Sequence, residues 1–245
     1  MGSNDAKTKE SQRKHVRYEV SDDCRIRASI MIRSSDAASA GKDWPGTLVN
    51  MSSEGAHIQI SLGAVAYKGD NCTLTLSHGG VKLPLRGVLA HYVCSSRHSV
   101  CGVKFDSFAT GWDKPYQPFF KAVVASSTLK GGPTGSDAPG RYREEYTGPG
   151  HTKLVVWRDD KPERNILGFD YVMARYAAAL ASAGADMFKN KQTVTFKAAP
   201  NEKGDTGMQL SQAQEAEARW EYSIAASNLP KAIAPDIRRL LRLTS

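Results

Sequence analysis

Apolar and polar residues alternate through most of the first half of the chain. The clearest run is residues 24–33, in which every second position is apolar and the positions between are mostly basic or polar. The same period of two recurs at 58–62, 72–76, 81–85, 88–94 and 101–105. This alternation predicts half-buried strands, and several short strands joined by turns favour a small β-barrel or sandwich. Residues 119–124 predict a short helix that packs against it.

The second half of the chain has a different pattern. Residues 126–150 contain nine Gly or Pro residues, which predicts a linker or a long surface loop. Beyond it the pattern predicts strands at 154–157 and 193–197, an Ala-rich helix at 168–189, a helix after Ser211 and a last helix beginning at Pro235. We therefore expect an α+β chain with a polar, flexible arm at 1–10, a first domain at 11–125, a linker at 126–150 and a helix-rich α/β module at 151–245.

Charge and cysteine content narrow the classes of function. The net charge of +8 is dispersed, with 16 basic and 11 acidic residues up to residue 125 and 17 and 14 after it. Such dispersion argues against a nucleic-acid-binding arm and suits a compact anionic ligand. The four cysteines form no CxxC pair, which predicts reduced thiols in a cytoplasmic protein. The sequence has no apolar run long enough for membrane insertion and no signal-peptide pattern at its start.

Two short motifs carry the candidate chemistry. Arg13 and Arg17 form an RxxxR motif, and residues 50–55 read NxSxxG, with Asn50, Ser52 and Gly55 at the fixed positions. A guanidinium group is a planar fork of donors that fits a phosphate or the O6/N7 edge of guanine. The Asn50 amide can pair with a base edge, and the Ser52 hydroxyl can donate or accept a hydrogen bond. Gly55 allows a backbone conformation that a Cβ would resist.

In this order, and with the closing strand Gly102–Phe105, the two motifs resemble those of the PilZ domain, a bacterial receptor module for cyclic di-GMP. The resemblance covers about residues 11–125 and implies a small antiparallel β-barrel. It implies that Arg13 and Arg17 contact the phosphates and guanines, that Asn50, Ser52 and Gly55 lie on the barrel surface facing them, and that one nucleotide or a stacked pair binds. We expect the bound ligand to order the Arg13–Arg17 segment against these three residues. It also implies a signal passed to a protein partner that acts in motility, pili or exopolysaccharide production. The second half resembles no family.

Three other functions are alternatives to a cyclic di-GMP receptor. A PilZ-type adaptor that binds a protein without nucleotide is the main alternative. A nucleic-acid-binding regulator would use the basic strand face of Arg25, Arg27 and Arg33, but the dispersed charge disfavours it. An enzyme is not expected, because the chain has no GxSxG, P-loop or GxGxxG motif and nominates no catalytic residue. Two HxxC units, at 91–94 and 98–101, are not expected to bind a metal, because residues three apart on a strand point to opposite faces.

Overall fold

The computed structural model describes residues 16–33, 41–106, 113–174, 193–200, 208–210 and 216–245. Their contacts form two compact units. The first unit comprises residues 1–19, 27–76 and 84–109, and the second comprises 20–26, 77–83 and 110–245. Among the described residues, no helix is long and apolar enough to cross a membrane.

The first unit contains a closed barrel, although the ends of two of its strands fall within residues 77–83. Its strands are β1 (Tyr18–Glu19), β2 (Arg27–Arg33), β3 (Asp43–Ser52), β4 (Gly55–Ile60), β5 (Asn71–His78), β6 (Val81–Cys94) and β7 (Ser99–Phe105). Six of them follow the order β3-β2-β5-β6-β7-β4, and β4 pairs with β3 to close the ring. The short β1 pairs with the end of β3. The barrel predicted from the period-two pattern is therefore confirmed.

The alternation along each strand separates the barrel core from its outer surface. Ile30 and Ile32 of β2 are fully buried, whereas Arg27, Met31 and Arg33 on the same strand are exposed. The core residues of the other strands show the same spacing; they include Ile58, Ile60, Leu74, Leu76, Cys101 and Val103. A strand that buries every second side chain leaves the other face free to carry polar groups. The outer face of the barrel can therefore carry ligand-binding side chains without disturbing the core.

All four cysteines are free thiols, as the sequence predicts. Cys72 and Cys101 lie in the barrel core, and burial raises the pKa of Cys72 to about 12 and that of Cys101 to about 11. A thiol with so high a pKa is scarcely ionised at neutral pH and is a poor nucleophile. Cys94, at the end of β6, is exposed. The two core cysteines therefore act as small apolar residues.

The described residues of the second unit form one sheet and three α-helices. The sheet consists of β8 (Lys130–Ala138), β9 (Arg141–Thr147), β10 (Lys153–Asp159), β11 (Ile166–Ala174), β12 (Thr193–Pro200) and β13 (Met208–Leu210), in chain order and with antiparallel neighbours. The helices are α1 (Asp113–Ser127), α2 (Ala216–Ser227) and α3 (Pro235–Leu243). The chain is therefore of the α+β class, as expected. The structure also confirms the strands predicted at 154–157 and 193–197 and the helices predicted at 119–124 and from Pro235.

The prediction of a linker at 126–150 is wrong, because β8 and β9 fill most of that range. β8 is an edge strand, and an edge tolerates Pro133, which has no N–H to donate to a ladder. Gly131 has a φ of 150°, and a Cβ there would lie 2.0 Å from the carbonyl oxygen of Glu145 on β9. The glycines thus permit close strand pairing at this position instead of marking a flexible segment.

The helix predicted at 168–189 is also wrong up to residue 174, where β11 ends. Phe169, Tyr171 and Met173 are fully buried at a spacing of two, and Phe169 and Tyr171 pair with Val156 and Leu154 of β10. Aromatic residues at alternate positions fit a half-buried strand. The remainder of the predicted helix, and Ser211, lie outside the described residues. With six strands among its described residues, the second unit contains more sheet than the predicted helix-rich module.

One buried ion-pair network joins the sheet of the second unit to α3. The Arg158 side chain on β10 is 8% exposed and donates through Nε to Glu144 of β9. Its Nη2 donates to the Asp236 carboxylate in the first turn of α3, at 3.0 Å, and its Nη1 donates to the carbonyl oxygen of Arg164 at 2.8 Å. The Tyr146 hydroxyl donates to the second Glu144 oxygen at 2.6 Å. Each buried charge in the network is therefore paired.

Candidate ligand-binding site

The strand register places one motif residue in a polar row across the outer face of the barrel. Asn50 on β3 pairs with His57 on β4, His57 pairs with Gly102 on β7, and Gly102 pairs with His91 on β6. Directly paired residues on neighbouring strands bring their Cβ atoms to about 5 Å. Asn50 therefore lies in one cross-strand row with His57 and His91, which are not part of the motif.

The other two residues of the second motif lie one step along the same strands. Ser52 pairs with Gly55 across the tight turn between β3 and β4, and Gly55 pairs with Lys104 on β7. The Ser52 hydroxyl is 3.4 Å from both the Glu54 amide nitrogen and the Gly55 carbonyl oxygen, so it helps to hold the turn. The motif spacing thus produces two adjacent polar rows on one face.

Gly55 is required for close packing rather than for an unusual φ. It is not among the glycines with positive φ. A Cβ at this position would lie 2.4 Å from the carbonyl oxygen of Val103, an atom of the β7 backbone that cannot move without disturbing the pairing of β4 with β7. The reason expected from the sequence, a backbone conformation that a Cβ would resist, is therefore replaced by a steric one.

Arg17 reaches the same face from the start of the chain. It directly precedes β1, in which Tyr18 pairs with Met51 and Glu19 with Asn50, so the register carries Arg17 to the level of Ser52. Arg17 is exposed. Arg13, the first residue of the RxxxR motif, lies outside the described residues. The structure thus locates one of the two motif arginines.

A surface cavity of about 320 Å³ lies where these elements meet. Three of the predicted site residues line it, namely Arg17, Ser52 and Gly55, together with Glu54, His91 and Lys104. Asn50 is not part of the cavity lining, although it belongs to the row that ends at His91. The first strand, the β3–β4 turn and the outer face of β6 and β7 are therefore all needed to build the cavity.

Comparison with protein families gives a match over the barrel. The family model of the PilZ domain matches residues 11–110, a range that contains both motifs and the cavity. This part of the chain is a PilZ domain. A search of solved structures finds the PilZ domain of YcgR from Escherichia coli, described with c-di-GMP, at 11% sequence identity and a TM-score of 0.34. The match covers 43% of this chain and 86% of that one. No curated protein matches the chain.

Positive charge dominates the cavity of the PilZ domain. Arg17 and Lys104 bring cationic side chains, and Glu54 brings a carboxylate. Burial lowers the pKa of His91, and the nearby Arg17 guanidinium lowers it further. Burial also lowers the pKa of His57, followed by the charges of His91 and Arg17. Both imidazoles are therefore mostly neutral at pH 7. Since two cationic side chains face one carboxylate, the cavity has a positive charge that suits a compact anion.

Within the part of the chain that the structure describes, two polar atoms beside the cavity are buried without a hydrogen-bond partner. The Asn50 side-chain oxygen and the His57 Nε2 atom make no hydrogen bond within the described part of the chain. Asn50 is 9% exposed. An unpaired buried polar atom costs roughly 1–3 kcal/mol, so it is usually explained by a function or by a group that arrives from elsewhere. The motif asparagine of the PilZ domain is thus poised to accept a hydrogen bond.

Sequence reasoning missed the histidine row and Lys104. The sequence pattern singles out His91 only as part of an HxxC unit, but in the structure Cys94 is exposed and Cys101 lies in the barrel core. Within the described ranges, no three His, Cys, Asp or Glu residues are grouped as a metal site would require. The sequence contains one indication of the histidine row, namely Gly102. A glycine between two apolar core residues of a strand indicates that a neighbouring side chain approaches the backbone closely.

Proposed function

We propose that the PilZ domain is a receptor for cyclic di-GMP, which it binds in the cavity between the start of β1 and the outer face of β6 and β7. The observation that carries this proposal is the convergence of Arg17, Ser52 and Gly55, from two separate motifs, on one cavity. In the proposed complex, Arg13 joins Arg17 on the phosphates and guanines. Asn50 accepts a hydrogen bond from a guanine edge.

The size and charge of the cavity suit part of such a ligand. Small-molecule sites are typically about 300–1,000 Å³, and the cavity is at the lower end of that range. Cyclic di-GMP carries two phosphates, which Arg17 and Lys104 would neutralise, and two guanines with O6/N7 edges that match an arginine fork. The seryl hydroxyl at position 52 adds a neutral donor. Charge and edge recognition together favour a guanine dinucleotide over a simple anion.

We infer a signalling mechanism from the position of the arginines in the chain. Bound phosphates neutralise the Arg13–Arg17 segment and hold it against the β3–β4 turn, which presents a different surface to a protein partner. In bacteria the partner would act in motility, pili or exopolysaccharide production, and the complex would form in the cytoplasm. PilZ domains are receptor and adaptor modules rather than catalysts, so the proposal gives no residue of this domain a catalytic role.

A calorimetric titration of the full chain with cyclic di-GMP tests the ligand. We expect a dissociation constant in the micromolar range or tighter. Cyclic di-AMP is the matched control, since it has the same two phosphates but an amino group where guanine has the O6 acceptor. We expect it to bind at least about tenfold more weakly, as one lost bidentate contact implies. No binding of cyclic di-GMP would overturn the receptor function and favour the adaptor; equal binding of both would overturn guanine recognition.

A further inference from the structure

His91 has a fixed position in the cavity wall that strand pairing explains. The register between β6 and β7 shifts between Leu89 and His91, and a bulge of this kind re-aims the side chain that follows it. Gly102 lies directly opposite, and a Cβ there would be 2.1 Å from the His91 Cε1 atom. The imidazole therefore occupies space that any other residue at 102 would fill. Its ring is held against the β7 backbone while it lines the cavity.

His57 lies on the other side of Gly102 and restricts the same ring. The His57 and His91 ring centroids are 5.3 Å apart, with an angle of 58° between the planes. Two imidazoles at this distance disfavour simultaneous protonation, because like charges repel in a partly buried setting. The pair therefore takes up one proton more readily than two. Of the two rings, His91 is the one that lines the cavity.

We propose that His91 is a ligand-binding residue of this site. Its imidazole N–H donates a hydrogen bond to a phosphate of the bound cyclic dinucleotide, and the ring becomes protonated when this doubly negative ligand binds. This inference rests on the proposed receptor function and adds to it. The proton comes from solvent and adds to the ring nitrogen that lacks one, so that both nitrogens become donors.

The charges around His91 determine the sign of the pH effect. Arg17 precedes β1, Lys104 lies on β7, His57 lies on β4 and Glu54 lies in the β3–β4 turn. Without ligand, burial and Arg17 lower the pKa of His91. A phosphate placed beside the ring opposes both effects and raises that pKa. Affinity therefore increases as the pH falls from the bound-state pKa to the free-state pKa, and is constant outside this window.

The test is calorimetry of the full chain with cyclic di-GMP at about pH 6 and about pH 8, in buffers of different ionisation enthalpy. We expect affinity to be roughly tenfold higher at the lower pH, because each unit of pKa shift corresponds to about tenfold in affinity. We also expect net proton uptake near pH 6.5, seen as a binding enthalpy that depends on the buffer. His91→Gln should abolish both effects while retaining weaker binding. His98→Gln, in the β6–β7 hairpin and outside the cavity lining, should preserve both.

A second variant tests the ring position with the imidazole retained. In Gly102→Ala the new Cβ displaces the His91 ring, so binding at about pH 6 should weaken about as much as in His91→Gln. A thermal melt of each variant verifies folding. If wild type binds with equal affinity at both pH values and without proton uptake, or if His91→Gln behaves as wild type, the role of His91 is wrong and the receptor function stands. If wild type fails to bind at all, both are overturned.

Discussion

Replacing Arg158 with Met is expected to lower the free energy of unfolding by about 3–5 kcal/mol, the usual cost of breaking a buried ion pair by removing one partner. The substitution keeps the aliphatic volume but leaves the Glu144 carboxylate, on a residue 9% exposed, without its cation. It also removes the donors to Asp236 and to the Arg164 carbonyl that tie β10 to α3 and to the β10–β11 loop. Urea unfolding followed by tryptophan fluorescence and circular dichroism measures the change.

Two further variants show whether burial of the charge is the cause. Arg141→Met removes an exposed arginine of the same sheet that pairs with Asp137 at 2.9 Å, and it should leave stability almost unchanged. In the double variant Arg158→Met, Glu144→Gln the buried carboxylate is also neutralised, so part of the lost stability should return. Equal losses in Arg158→Met and Arg141→Met would contradict the structural role assigned to the network.

Arg17→Ala is expected to weaken cyclic di-GMP binding roughly 10- to 100-fold, because a charge-assisted hydrogen bond contributes about 1.5–3 kcal/mol. Arg17 is exposed and outside the barrel core, so the variant should fold as wild type does. Isothermal calorimetry gives the ratio of dissociation constants, and repeating it at higher salt should reduce the wild-type affinity more than that of the variant.

Arg33→Ala is the matched control for Arg17→Ala. Arg33 is an exposed arginine at the end of β2. The pairing of β2 with β3 runs from Ala28–Gly46 to Met31–Asp43, so Arg33 lies at the opposite end of β3 from Asn50. It should bind cyclic di-GMP with wild-type affinity. A similar loss in both variants would mean that general positive charge attracts the ligand, and that the cavity does not recognise it.

The barrel and the motif face were predictable because each depends on a local pattern. Alternation places Ile58 and Ile60 inside and His57 and Gln59 outside, whatever the neighbouring strands are. The spacing of Asn50 and Ser52 likewise puts both on one face of β3. The tight turn that returns at Gly55 follows from a cluster of small polar residues. These features involve residues close together in the chain.

The remaining features depend on partners that are distant in sequence. Gly131 forms part of a strand only because β9 supplies a close neighbour, and composition alone predicts a loop there. The sequence pattern predicts a helix at Tyr171, whereas in the structure Tyr171 pairs with Leu154 and lies in a strand. His91 enters the candidate site through a bulge and through Gly102 of the next strand. No short motif encodes such pairings, so half of the cavity wall was not predictable from the sequence.

Binding of cyclic di-GMP at this one face is tested most sharply by an amide NMR titration of the full chain. With saturating nucleotide, the largest shifts should fall on the amides of Gly55, Ala56, Gly102 and Lys104, which line the cavity. The amides of Ile30–Arg33 on β2 should change little. Large shifts at β2 with unchanged Gly55 and Gly102 signals, or no shifts at all, would contradict the proposed receptor site.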